Sequence, residues 1–296
     1  YMYQSAWTDY KTSPMVHILP YWDFNEGQLI DVRIYSNAPK VELLFQGESQ
    51  GIKEIDHAHG KILSGDWQLP YKKGSIVALA YDEKGNIIAR DEQCSFGDPA
   101  SIRLTPDKSV LNADGEDLIF LTIETLDENG TPVANGRSRM HVSVSGAGRL
   151  VGLDNGDSSD PDPYKGTSKR LFSGKLLAVI AAKTIPGDIF VTVTSPSLPD
   201  SHLTLKAVLP HITREGVSCL LENKPFSSDQ TKEIPVRKIE LKNSGRNHLD
   251  KDHKTTTVTA AIYPENASYR DLEFKAVTRN GVVSNSVKIS HNKERN

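Results

Sequence analysis

Acidic residues are most concentrated in a short segment near the middle of the chain. Four aspartates lie within the nine residues from 154 to 162, here called the acidic loop: Asp154, Asp157, Asp160 and Asp162. Oxygen donors at this density can bind calcium, which takes six or more of them, although the spacing does not fit an EF-hand loop. In the alternative interpretation, Asn155-Gly156 forms a turn and the prolines at 161 and 163 stiffen an exposed loop. Apart from this structural calcium, the sequence predicts no cofactor.

A second group of metal-ligand types is His57-Ala58-His59, preceded by Asp56. On a strand, residues i and i+2 share a face, so both imidazoles could bind one metal ion. Zinc sites need three or four converging donors, and nothing nearby supplies the others at a suitable spacing. We therefore interpret these histidines as part of a polar loop over residues 52–69 and predict no zinc site.

Five aromatic residues have the chemistry to stack on sugar rings. They are Trp7, Trp22, Trp67, Tyr71 and Tyr164. Aromatic residues at strand ends more often anchor a core while a polar tip stays at the surface. A sandwich of about 100 residues must also bury large side chains to be stable. Exposed, coplanar rings would indicate a glycan-binding site, whereas burial would indicate a structural role.

The sequence contains no recognisable catalytic constellation. A Gly-x-Ser-x-Gly elbow, which positions the nucleophile of many hydrolases, does not occur. The glutamates fall in predicted hairpin turns or on polar faces of predicted strands, which is the usual place for charged residues. We therefore predict no catalytic residues, and we expect the chain by itself to be inactive.

Alternation of apolar and polar residues indicates which elements carry these side chains. Three alternating runs, around Ile18, Val32 and Leu43, are separated by turn sequences at 25–27 and 37–40. The same strand-and-turn spacing recurs from residue 102 onwards, including an apolar run over residues 118–126. Short strands with turns at this spacing are typical of immunoglobulin-like sandwiches. The predicted fold is all-β, with three such sandwiches in tandem.

Three modules are expected from the length of 296 residues and from the position of the linkers. The first module covers residues 1–98, the second covers 99–210, and the third, with its linker, covers 211–296. Their net charges are about minus 5, minus 2 and plus 4. No segment has the dense clustering of Lys and Arg that phosphate contacts require, so nucleic acid is not an expected partner.

Composition excludes several other classes of protein. The longest wholly apolar run, residues 176–182, is far shorter than the about 20 residues needed to cross a bilayer, so no membrane insertion is expected. The first residues lack the basic and apolar regions of a signal peptide. Cys94 and Cys219 fall in different modules, which makes a disulfide framework unexpected.

The first residues resemble a particular junction in family 2 glycoside hydrolases, the β-galactosidase group. There, a Tyr-Gln-Ser-x-Trp segment closes the catalytic barrel and a segment like MVHILPYW opens an immunoglobulin-like domain. Both are present here, as residues 3–7 and 15–22. Tyr21 and Asp23 depart mildly from this pattern, because a basic or polar residue and an Asn are expected beside the Trp.

The later modules resemble other C-terminal domains of the same enzymes. The second is similar to bacterial immunoglobulin-like repeats of invasins, and it shares a segment with the β-galactosidase group in which Gly152, Asn155-Gly156-Asp157 and Arg170 precede an apolar strand. The third resembles a group 2 bacterial immunoglobulin-like domain, in which a Pro-x-Asn-Ala turn leads to a strand bearing a Trp. Here the turn is at residues 264–267, the strand is predicted over 272–277 with Phe274 at the position of the Trp, and an apolar pair follows at 282–283. The pattern lacks the final strands of that family, which predicts an incomplete module.

The resemblance implies a non-catalytic region of a β-galactosidase that takes part in carbohydrate metabolism. Its catalytic acid/base and nucleophile, two carboxylates about 5 Å apart in a retaining enzyme, would lie in a barrel upstream of Tyr1. The region would support the barrel, shape the rim of its active site or contribute to a homodimer. A periplasmic, secreted or cell-surface location is implied too. The alternative is a glycan-binding or adhesive cell-surface module.

Overall fold

The computed structural model describes residues 1–60, 62–210, 233–244, 249–277 and 284–290, and it confirms the all-β prediction. The single helix in these ranges, α1 (Met2–Trp7), has six residues. No described helix has the length and apolar character to cross a membrane.

The first module is a sandwich of two antiparallel sheets. One sheet has the order β1-β2-β5 and the other β4-β3-β6-β7. The strands are β1 (Val16–Leu19), β2 (Leu29–Ser36), β3 (Lys40–Phe45), β4 (Glu48–Glu54), β5 (Ser64–Pro70), β6 (Ser75–Tyr81) and β7 (Ile87–Cys94). In β2, Ile30, Val32 and Ile34 face inward while the residues between them are exposed, as period-2 alternation predicts. These side chains pack around Trp22, which is fully buried.

The prediction of a polar loop over residues 52–69 is wrong. This segment contains the end of β4, a short 3-10 turn (Ala58–Gly60) and β5. The β4 strand is almost entirely exposed and therefore has no alternation to detect. Hydrogen bonding to β3 fixes β4 at the sheet edge, and pairing with β2 fixes β5, so tertiary context determines both.

The second module is a larger sandwich, in which the strands pair antiparallel except for β9, which pairs in parallel with β16. Its sheets have the orders β12-β14-β10-β8 and β13-β11-β15-β16-β9. The strands are β8 (Ser101–Pro106), β9 (Val110–Asn112), β10 (Leu118–Leu126), β11 (Arg139–Gly146), β12 (Gly148–Asp154), β13 (Ser168–Arg170), β14 (Lys175–Ala182), β15 (Gly187–Ser195) and β16 (Leu198–Val208). Ile119, Leu121 and Ile123 of β10 lie in the core between the sheets. The acidic loop follows β12 at one edge.

The described part of the third module contains a two-stranded sheet, β17 (Lys238–Asn243) with β18 (Val258–Tyr263). The predicted turn after β18 is present, because the Ala267 N–H donates to the Pro264 carbonyl at 3.0 Å. The strand predicted over residues 272–277 is not formed, although exposure alternates there. Residues 282–283 lie outside the described ranges. A complete third sandwich therefore stays a prediction.

Candidate functional site

The three modules meet at a cluster of charged and polar side chains, here called the three-module junction. Arg237 and Lys238 come from the start of the third module's sheet. Asp23 follows β1 in the first module, Asp98 lies in the linker between β7 and β8, and Asn135 lies in the loop after β10. These segments are brought together by the fold alone, since Asp23 and Arg237 are 214 residues apart in the chain.

Arg237 reaches all of the acceptors in this junction. Its Nη1 donates to Asp23 Oδ2 at 2.8 Å and to Asn135 Oδ1 at 3.3 Å, while Nη2 and Nε donate to Asp98 Oδ1 at 2.6 and 2.9 Å. Lys238 Nζ donates to the other oxygen of Asp23 at 2.9 Å. The planar guanidinium, with five fixed donors, suits such a convergent set.

The junction is shielded from water. The Arg237 side chain is 6% exposed and Asp23 is equally buried. The guanidinium also lies over the ring of Phe96, 5.6 Å from its centroid. Buried charges of this kind are costly unless they are fully paired, which favours one geometry over its alternatives. The arrangement is suited to holding modules together rather than to bond-making chemistry.

Trp22 and Tyr71, two of the predicted sugar contacts, are core residues next to this junction. Both rings are buried against each other at a centroid distance of 5.3 Å. Trp22 Nε1 donates to the Lys72 carbonyl at 3.1 Å, and the Tyr71 hydroxyl lies 3.0 Å from Ser95 Oγ. Burial raises the pKa of Tyr71. A cleft of about 270 Å³ opens between the first and third modules, but Tyr71 presents little of its ring to it.

The other three aromatic candidates differ from one another. Trp67 is partly covered by β4, where Lys53 lies 5.3 Å from its ring and Gln50 accepts its indole N–H at 3.0 Å. Tyr164 is 60% exposed and Trp7 is 80% exposed. Tyr164 belongs to the second module and Trp7 to α1 of the first. The structure therefore does not assemble the five rings into one surface.

The residues from 1 to 15, here called the handover segment, carry most of their aromatic surface outward. Tyr3 is 64% exposed, and its ring lies 5.0 Å from that of Trp7. Tyr1 stacks on His17 at 3.5 Å. Of α1, only Ser5 is buried. Exposed rings side by side are typical of surfaces that bind another protein.

Asn37 fixes this segment to the first module. Its Nδ2 donates to Thr8 Oγ1 and to the Ser13 carbonyl, both at 2.8 Å, and its Oδ1 accepts from the Met15 N–H at 2.9 Å. The side chain is buried. Sequence reasoning treated Asn37 as a turn residue and missed this role, because its partners lie more than 20 residues away.

The carboxylates of the acidic loop are engaged by groups of the protein. Backbone N–H groups of residues 156 and 159 donate to Asp154 and Asp157, each at 2.9 Å. Asp160 accepts from Asn155 Nδ2 at 2.6 Å, and Asp162 lies 2.8 Å from Arg139. Across the described part of the chain, no three His, Cys, Asp or Glu side chains are grouped to hold a metal ion.

A buried lysine supplies positive charge to the acidic loop. Lys169 is 1% exposed, and its Nζ donates to the Asp162 carbonyl at 2.8 Å. The same ammonium lies 3.3 Å from Asp160 Oδ2 and 5.0 Å from the centroid of the Tyr164 ring. Sequence reasoning missed Lys169 because it reads as an ordinary polar residue of a loop.

Two aspartates of the loop have pKa values below their ordinary range. Burial disfavours the charged form of Asp160, but the Asp162 N–H, Asn155 and Lys169 outweigh it and lower the pKa. For Asp157, the hydroxyl and N–H of Ser159 lower the pKa. Both groups are therefore held in the charged form by donors of the loop and, for Asp160, also by Lys169 of β13.

The His57 region does not have the strand geometry that a pair of metal ligands would need. His57 precedes the 3-10 turn and its Nε2 lies 2.9 Å from the Ser36 carbonyl. Asp56 Oδ1 accepts from the Ala58 N–H at 2.8 Å. The side chain of His59 lies outside the described part of the structure. These contacts hold the turn against the sheet.

Two family models match the chain. Residues 102–204 match glycoside hydrolase family 2 C-terminal domain 5, and residues 27–89 match a domain of unknown function, DUF4982. The first match lies within the second sandwich and the second match lies within the first sandwich.

Similar proteins are named as glycosidases. Beta-galactosidase BoGH2A from Bacteroides ovatus is 38% identical over 210 residues, which make up 70% of this chain and 24% of that protein. A β-glucuronidase from Formosa agariphila is 22% identical over 75% of this chain and 22% of its own length. The crystal structure of a β-glycosidase from Bacteroides vulgatus superposes with a TM-score of 0.64 at 33% identity, covering 70% of this chain and 26% of the other. The chain thus spans about a quarter of the length of the relatives it matches.

Proposed function

Because this chain belongs to the C-terminal domains of family 2 glycoside hydrolases, we propose that it is the non-catalytic scaffold of a β-galactosidase. In this role it supports a catalytic barrel located upstream in the parent chain and shapes the rim of the active site. Three quarters of the length of the relatives lies outside the matched region, which leaves ample room for such a barrel.

The handover segment carries this proposal. Its helix is fixed to the first module through Asn37, yet it turns Tyr3 and Trp7 toward solvent. Large aromatic side chains contribute most of the binding energy when they are buried in an interface. A surface that is rigidly held and apolar on its outer side supports docking against the barrel that the same segment closes in the resembled enzymes.

The first test is an activity assay. The purified chain should not hydrolyse nitrophenyl galactosides, because its described residues form β-sheets of other topology and no barrel that could hold the two catalytic carboxylates at about 5 Å. Turnover that persists through repurification and follows the protein peak would overturn the scaffold proposal.

The second test measures docking directly. The upstream region encoded by the same gene is co-expressed with this chain, and the two are purified through a tag on the upstream region. Trp7→Ala should reduce the recovered chain at least about tenfold, as expected for truncation of an interface hot spot. The matched control is Tyr269→Ala, since Tyr269 is 69% exposed but lies in the third module. Equal recovery of both variants would contradict docking through the handover segment.

The exposed rings of Tyr3 and Trp7 are also available for self-association of the isolated chain. Sedimentation of the isolated chain, with Trp7→Ala as the comparison, distinguishes self-association from binding to the barrel. If the parent protein dimerises equally well with Trp7→Ala, the dimer is formed elsewhere.

Glycan binding is the second candidate, and it is supported by Tyr164. The ring is exposed and is held in place from below by Lys169. Calorimetric titration of galactose and galacto-oligosaccharides, with Tyr164→Ala as the control, tests this function. Heat that is lost in the variant would support a sugar site on the second module.

A further inference from the structure

The linker between the first two modules is hydrogen-bonded to the second module on both sides of Asp98. The Gly97 N–H donates to Asp127 Oδ2 at 2.8 Å, and the Ala100 N–H donates to the Leu126 carbonyl at 2.8 Å. These bonds attach the linker to the second module. Asp98, between them, faces the third module and binds Arg237.

The first module is tied to this assembly through Asp23. One carboxylate oxygen of Asp23 accepts from Arg237 and the other accepts from Lys238. Lys238 also donates to the Phe24 carbonyl at 3.0 Å, which fixes the backbone next to Asp23. Two adjacent residues of the third module therefore contact the first module, the linker and the second module.

Without Arg237, the same place would hold two acidic groups and only one cation, Lys238, which contacts Asp23 and leaves Asp98 without its cation. Asp23 is buried, and Asp98 is partly exposed. Carboxylates brought near each other repel, and a buried one loses its hydration. The first two modules would then favour relative orientations that move Asp23 away from Asp98.

We infer that Arg237 and Lys238 form an interdomain lock, by which the third module sets the orientation of the first module relative to the second. In this contact, the carboxylates of Asp23 and Asp98 accept hydrogen bonds from the two basic residues at the start of β17. The third module then acts on the distant catalytic region by fixing the module to which the barrel is attached. Only this last consequence rests on the proposed function.

Distance measurements by double electron–electron resonance test the lock in the full chain. Spin labels are placed at Glu48→Cys in the first module and at Asp200→Cys in the second, both exposed positions, in a Cys94→Ser, Cys219→Ser background. The background protein should give one narrow distance distribution. Arg237→Ala should broaden it at least about twofold, because the guanidinium makes the contacts that join all three modules.

Two further variants separate orientation from folding. Lys242→Ala removes a lysine of the same strand that is mainly exposed, and it should leave the distribution unchanged. Asp98→Asn weakens the lock at its more exposed partner, so it should broaden the distribution even if Arg237→Ala does not fold. Circular dichroism verifies the fold of each variant.

The inference is overturned if Asp98→Asn, or a folded Arg237→Ala, gives the same narrow distribution as the background protein. This result is independent of docking through Trp7, because the labelled chain contains no barrel. Failure of the lock and failure of the scaffold proposal can therefore be told apart.

Discussion

The acidic loop and the three-module junction use similar chemistry at different sequence ranges. Each places carboxylates against a buried cation, Lys169 in the loop and Arg237 in the junction. In the loop, the carboxylates lie within nine residues and receive N–H bonds from their own turns. In the junction, the partners come from three modules, and Asp23 and Arg237 are separated by 214 residues.

The difference determines what each region can influence. The carboxylates of the acidic loop are bound by donors of the loop and of the same module, so they stabilise a local backbone conformation. These contacts can be broken without moving the modules relative to one another. A junction of distant charges exists only when the modules are correctly placed, so its energy depends on their arrangement. The same type of ion pair therefore stabilises a local conformation in the acidic loop and forms an interdomain contact in the three-module junction.

The comparison predicts the largest effect for Asp23→Ala. This change removes the carboxylate that the buried Arg237 shares with Lys238, and breaking a buried pair in this way costs about 3–5 kcal/mol. The melting temperature of the transition that includes the first module should fall clearly. In Asp23→Asn, which keeps one acceptor, the melting temperature should fall less. A melting curve for Asp23→Ala that matches the unmodified chain would remove the distinction between the two regions.

A smaller, local effect is expected for Lys169→Met. The substitution leaves Asp160 and the Asp162 carbonyl without their buried donor, and hydrogen bonds to charged groups contribute about 1.5–3 kcal/mol each. The loss should appear in the unfolding of the second module, with the spin-label distances unchanged. Lys165→Met, at an exposed position three residues after the acidic loop, is the matched control. Broadened distances in Lys169→Met would contradict a purely local role.

As the pH falls, the acidic loop should lose stability before the parts of the fold that contain no titrating groups. The folded pKa of Asp160 is lowered, so its contribution to stability is full above about pH 4 and is lost as the pH falls through that lower value. Asp160→Asn should therefore reduce the fall in melting temperature between pH 5 and pH 2. Identical pH profiles for both proteins would show that Asp160 is not held in the charged form.

The smallest expected effect is that of calcium on the unmodified chain. The carboxylates of the loop already have donors, so millimolar calcium or a chelator should leave the melting temperature unchanged. A bound ion would instead stabilise by about 2.7 kcal/mol at a hundredfold excess over its Kd. A rise with calcium that is reversed by chelator, and absent in Asp160→Asn, would establish the metal site.

Much of the fold is visible in the sequence because burial and periodicity coincide there. β2 places every second side chain in a core and was predicted from alternation, whereas β10 was predicted from its continuous apolar run. β4 was missed because nearly all its residues are exposed, so its position depends on pairing with β3. Backbone hydrogen bonding at a sheet edge leaves little trace in side-chain pattern.

The candidate sites also differ in how well the sequence predicts them. The acidic loop was found because its aspartates are neighbours in the chain, whereas Arg237 gave no signal of its own. One indirect signal existed: Asp23 stands beside the buried Trp22, where the resemblance predicts Asn. A carboxylate next to a core residue requires a cation, although the sequence does not say which of the 35 basic residues supplies it.

The strand β9 has a mechanical consequence. It pairs in parallel with β16, so Val110, Leu111 and Asn112 lie beside Lys206, Ala207 and Val208. Tension along the chain would pull these strands from opposite ends and make them slide past each other, loading their hydrogen bonds together. An antiparallel hairpin opened from one end would instead break its bonds one after another. The pairing of β9 with β16 would therefore oppose extension of the second module by shear, even after β8 has been pulled away.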